Sequence, residues 1–138
     1  MDKKLLIVST VLFLFLGGMV VVAQWANYSR ARDEGIADDA GMIFTVLSVN
    51  KSCLVSVGKA EKILRKKYSK LRTKDPWENK YHIFCKNGIV EKVCSFGSDE
   101  IEESNDDICV SDIGVMRGNE KVNWTMRDWS AVVQNMEH

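Results

Sequence analysis

One proline, two histidines and no surplus of either charge define what this chain lacks. Its 19 Lys plus Arg cancel its 19 Asp plus Glu, so it has none of the general attraction to nucleic acid that a basic domain carries, and no nucleic-acid partner is expected. It contains no Gly-x-Ser-x-Gly elbow, no phosphate-binding P-loop, no dinucleotide-binding glycine motif and no HExxH stretch. With His82 and His138 as the only imidazoles, little is available for acid–base or nucleophilic chemistry, and the chain is read as a non-enzyme. His82 alternates with Tyr81 and Ile83 as a strand-surface residue would. None of the four cysteines belongs to a CxxC pair, which argues against a structural zinc site. A content of 46% hydrophobic residues excludes a disordered or collagen-like chain.

What the chain does have begins with an uncharged apolar run, residues 5–23. As a helix, 19 residues would reach about 28 Å, close to the hydrocarbon thickness of a bilayer. Lys3 and Lys4 precede the run, which by the positive-inside rule places the amino end in the cytoplasm and the body outside. Trp25 and Tyr28 stand where interfacial aromatics anchor a retained helix. Val21-Val22-Ala23 before Gln24 also fits a signal-peptide cleavage site. Residues 1–30 are therefore a cytoplasmic stub with a transmembrane anchor, or a signal peptide, and residues 31–138 an exported domain.

Residues 24–35 continue the helix or form a linker. Ala37 to Val49 predicts a helix with Met42, Ile43, Val46 and Leu47 on one face, ended at Asn50-Lys51-Ser52. Lys59 to Lys74 predicts another, ended by Pro76, with a strongly basic face that suits an anionic headgroup, an acidic partner or plain solvation. Lys80–Lys86 and Ile89–Phe96 predict a hairpin, because Asn87-Gly88 supplies the two positive-φ residues of a type I′ turn. That register pairs Lys86 with Ile89, Cys85 with Val90 and Tyr81 with Cys94. Residues 97–107 read as a loop and Ile108–Val115 as a further strand. Thr125-Met126-Arg127-Asp128 resembles a capping box opening a short helix with Trp129, Val132, Val133 and Met136. Trp124 and Trp129 are most simply packing residues.

Cys53, Cys85, Cys94 and Cys109 all follow the apolar run, and an even count in an exported domain suggests two disulfides, with free buried thiols as the alternative. The hairpin register sets Cys85 and Cys94 too far apart to bond. Of the remaining connectivities, Cys94–Cys109 with Cys53–Cys85 is preferred.

Six carboxylates crowd residues 99–107: Asp99, Glu100, Glu102, Glu103, Asp106 and Asp107. Such a stretch is a solvated acidic loop or an oxygen-ligand metal loop of the kind calcium uses. It lacks the alternating ligands and central glycine of an EF-hand.

Asp75-Pro76-Trp77, Tyr81, the hairpin, Ser95-Phe96-Gly97-Ser98-Asp99 and Asp106-Asp107-Ile108 occur in an order that resembles the carboxyl-terminal half of the major pseudopilin of type II secretion systems. The likeness covers residues 73–108. It implies a pilin-like head in which the loop between the last strands binds one calcium ion. Asp99 and Asp107 would give carboxylates, with Phe96, Ser104 and Asp106 as candidates for the remaining oxygens, and Trp77 would pack on the core. The chain departs from the family at several points. Glu78 and Glu100 stand where the family has glycine, which makes Glu102 or Glu103 substitute ligands. The four cysteines are not a usual family feature, and the prepilin-peptidase motif with its glutamate is absent before the apolar run.

The expected fold is α+β: a membrane-spanning helix, then a small pilin-like head of helices on an antiparallel sheet of about three strands. The expected role is that of a single-pass subunit of a bacterial inner membrane, its carboxyl-terminal domain in the periplasm. It would associate with the membrane and with other pseudopilin-like subunits, other secretion-system proteins or its own copies. The alternative is a secreted, disulfide-stabilised binding module with a cleaved leader.

Overall fold

The apolar run does not stop at its polar border. In the computed structural model, which describes residues 3–50, 53, 62, 65–66 and 72–124, one helix, α1, spans Lys3–Asn50. No proline interrupts this stretch. The hydroxyls that would compete for its backbone bond back along it, Ser29 to the Ala26 carbonyl, Thr45 to that of Gly41 and Ser48 to that of Phe44. Residues 24–35 are thus helical continuation, and the separate helix expected over 37–49 is the last part of α1.

Two compact units divide the chain, Met1–Arg32 and Asp33–His138. In the first, the large apolar side chains from Val11 to Val22 are exposed. By length and composition the helix can cross a membrane, a test that a signal sequence also passes. The apolar run itself ends at Ala23, and the first charge after Lys4 is Arg30.

In the second unit α1 behaves differently. Ile36, Ala37, Ala40, Ile43 and Leu47 recur at spacings of three and four and are buried in one cluster with Tyr81, Val90, Val93, Ile108, Val110 and Val115. Trp77 and Trp124 pack against this core.

The sheet has five antiparallel strands rather than three. They are β1 His82–Lys86, β2 Ile89–Ser95, β3 Ile108–Ser111, β4 Gly114–Arg117 and β5 Glu120–Val122, in spatial order 1-2-3-4-5. The strand expected over 108–115 contains a turn at Asp112-Ile113, followed by Gly114 with φ 118°. Gly118, φ 53°, makes the next turn.

The β1–β2 turn forms as expected, with Asn87 at φ 51° and Gly88 at φ 76°. Lys86 pairs with Ile89 and Cys85 with Val90. A bulge between Phe84 and Cys85 then shifts the register, so His82 and not Tyr81 faces Cys94. Tyr81 precedes the strand and is buried, whereas His82 is exposed and stacks on Phe96 with ring centroids 4.0 Å apart.

Both disulfides join the preferred partners, Cys53 to Cys85 and Cys94 to Cys109. Cys94 and Cys109 face each other across β2 and β3, their Cα atoms 4.1 Å apart. Lys62, Arg65 and Lys66 are helical, but Arg72 and Thr73 are not, and Lys74 bridges to Lys80, so the helix expected through Lys74 ends earlier. The capping box and the helix expected after it lie outside the described residues.

Candidate metal site in the acidic loop

The β2–β3 loop is held from both sides by small residues. Gly97, φ 66°, lies so close to the Asp106 carboxylate that any Cβ there would collide with it. A Cβ at Gly118 would come within 3.2 Å of the Asn105 Cα, and the Gly118 amide donates to the Asp107 carbonyl at 2.8 Å. These two close approaches fold the end of the loop back onto its start.

The fold-back gathers Asp99, Asp106 and Asp107, each offering one carboxylate oxygen within 4.8 Å of the others, a spacing that could hold a metal ion. The Asp107 side chain is buried and accepts from the Glu103 amide at 2.8 Å. Asp99 accepts from the Ile101 amide at 3.0 Å, and Asp106 from the Ser98 amide at 3.0 Å. The Ser104 hydroxyl lies 2.6 Å from Asp106, 2.9 Å from Asp107 and 3.5 Å from Asp99. A hydroxyl has one proton to donate, so it cannot fully satisfy three carboxylates. No Lys or Arg pairs with these three aspartates among the described residues. Partial burial alone would raise the Asp106 carboxyl, but hydrogen bonds from Ser104 and Ser98 outweigh it and hold its pKa below the ordinary value.

Of the residues expected to form the site, Asp99, Asp106, Asp107 and Ser104 converge. Phe96 stands at the entrance of the loop, its ring on His82. Glu100, Glu102 and Glu103 are exposed and lie outside the cluster. Every donor is a hard oxygen, and no thiol or imidazole is among them, so the group suits a hard cation better than zinc or copper.

A second polar cluster supports the loop and was not legible as such. Asp75, buried, accepts from the Trp77 and Asn79 amides on one oxygen at 3.0 and 2.9 Å, and from the Ser95 hydroxyl on the other at 2.7 Å. Ser95 in turn receives the Gly97 amide at 3.3 Å, and Asn79 Nδ2 donates to the Gly97 carbonyl at 3.3 Å. The Asp75 turn therefore positions the first residue of the loop.

Beside it, the Tyr81 hydroxyl is buried next to the Asp39 carboxylate, short of full hydrogen-bond geometry. Burial, then the Asp39 and Asp75 carboxylates, push its pKa far up. Burial also pushes Asp39 up to about 6; Arg72 and the Tyr81 hydroxyl oppose this, and neighbouring Asp38 adds to it. The folded chain thus keeps a proton that the unfolded chain releases near the ordinary value of 3.8. Stability should fall as pH rises through that window, by about 1 kcal/mol once solvent screening of this half-buried group is allowed for. Thermal melts of the detergent-solubilised chain across the window check this, and Asp39→Asn should flatten the slope.

The chain matches no family model, and no curated protein or solved structure resembles it significantly.

Proposed function

We propose that the chain is a non-enzymatic, membrane-anchored subunit of a type II secretion or pilus-like assembly, with a pseudopilin-like head whose acidic loop holds calcium. In this reading the apolar part of α1 stays in a bacterial inner membrane, the amino end is cytoplasmic and the domain after Arg32 is periplasmic. The helix packs with other membrane helices and the head contacts neighbouring heads.

The observation that carries the calcium reading is the convergence of three aspartates on one hydroxyl that can give a single proton. The three oxygens lie within 4.8 Å of one another, close enough to be ligands of one hard cation. Water and backbone oxygens would complete six to eight ligands.

Backbone geometry supports the kinship. Glu78 and Glu100 occupy the positions where the family has glycine, and both have left-handed φ, 69° and 56°. The chain keeps at those two sites the conformation that favours glycine, although the residue differs.

Calcium at a hundredfold excess over its Kd should stabilise the chain by about 2.7 kcal/mol, and EGTA should reverse this. Asp99→Asn, at an exposed ligand, should abolish the shift while leaving the calcium-free melt nearly unchanged. Identical melts with calcium and EGTA would remove the metal from this reading.

The two disulfides favour a second reading, a secreted binding module with a cleaved leader and no filament role. Amino-terminal sequencing separates the two: retention of Met1 supports the anchor, and a start at Gln24 supports the leader.

A further inference from the structure

Charge is segregated along this chain although its sum is zero. Residues 59–74 hold eight basic residues against Glu61 alone, and residues 99–107 hold six acids and no base. Lys62, Arg65 and Lys66 are helical and exposed, at spacings of three and four that put side chains on a common side. Glu100, Glu102 and Glu103 are exposed on a loop whose backbone is braced at Ile101 and Glu103 by the Asp99 and Asp107 carboxylates. No ion pair engages Lys62, Lys66 or any of these three glutamates among the described residues. Asp99, Asp106 and Asp107 turn to one another, which leaves the glutamates as the loop's outward charge.

We propose that the acidic loop of one copy, through Glu100, Glu102 and Glu103, docks on the basic strip around Lys62 and Lys66 of a second copy. The surface that gives differs from the surface that receives, so the contact either closes reciprocally in a two-fold pair or repeats head-to-tail into a ring or an open fibre. Exposed ion pairs are individually weak and salt-screened. Copies held in one bilayer meet at high effective concentration, which lets weak contacts count. The inference deepens the anchored-subunit reading and rests on it.

The test uses the full chain, labelled for energy transfer, in phosphatidylcholine vesicles. Wild type should show transfer at low salt that is lost at about 1 M, where the Debye length is about 3 Å. The loop reversal Glu100→Lys, Glu102→Lys, Glu103→Lys should lose it, and so should the strip reversal Lys62→Glu, Lys66→Glu. A one-to-one mixture of the two reversed chains should regain it, because each then offers what the other lacks. If either reversed chain melts early, the neutral sets with Gln at the same positions should each lose transfer alone and regain it on mixing, because the loop of one still meets the strip of the other. Undiminished transfer in either variant, or no recovery in the mixture of folded reversed chains, overturns the inference. So does transfer that requires phosphatidylglycerol and ignores the loop reversal, which would make the strip a lipid-headgroup site. All these variants keep Asp99, Asp106 and Asp107, so the calcium melt reports separately on the parent reading.

Discussion

Reducing both disulfides should remove most of the stability of the domain that follows Arg32. Cys94–Cys109 closes a sequence separation of 15 and Cys53–Cys85 one of 32. In the chain-entropy treatment such loops contribute about 3 and just under 4 kcal/mol, which together approach the 5–15 kcal/mol of a typical domain. The two bonds also act in different places. Cys94–Cys109 ties the strands that flank the acidic loop, and Cys53–Cys85 ties the chain just beyond α1 to β1. Denaturant titration with and without dithiothreitol should show the midpoint collapse on reduction. Replacing Cys94 and Cys109 together by alanine should cost about 3 kcal/mol and should also weaken any calcium-dependent shift, since the loop then loses the bond across its base. An unchanged midpoint in dithiothreitol would mean that the sheet and the α1 contacts suffice alone.

Asp75→Ala should be the most damaging single substitution of a polar residue near the loop. It strands the buried Ser95 hydroxyl and the half-buried Trp77 and Asn79 amides; a buried donor left unsatisfied costs about 1–3 kcal/mol, and the half-buried amides, which water can reach, cost less. The expected loss is about 2–4 kcal/mol. Asp75→Asn should cost less, because its amide oxygen can still receive the two backbone donors. The damage should reach the site, because Gly97 is held through Ser95 and Asn79. A denaturant midpoint for Asp75→Ala within experimental error of wild type would show that the turn does not depend on this carboxylate.

The legible parts of the molecule are those whose cause is local. Asn87-Gly88 forced a hairpin because both residues accept left-handed backbone, and Leu5 to Ala23 could only be a long apolar helix. The β-bulge left no such mark: Glu91 differs in no local way from its neighbours, and its extra place in β2 reflects how the strands meet across the sheet. The β3–β4 turn was hidden because Asp112-Ile113 is not a favoured turn pair, and the conformational freedom sits one residue later at Gly114. Gly118-Asn119 is a turn pair by residue type, and it makes the turn between β4 and β5.

Six neighbouring acids announced an electrostatic problem without saying which would meet. Asp106 and Asp107 reach Asp99 because Gly97 and Gly118 permit close backbone approach, and Glu100, Glu102 and Glu103 stay in water. By itself the chain's order of residues determined an apolar amino-terminal helix, a hairpin and an acidic loop, since hydrophobic runs and turn residues act on their nearest neighbours. Only tertiary structure decided the number of strands, the register beyond the bulge and the choice of three aspartates, because each depends on contacts between residues far apart in the chain.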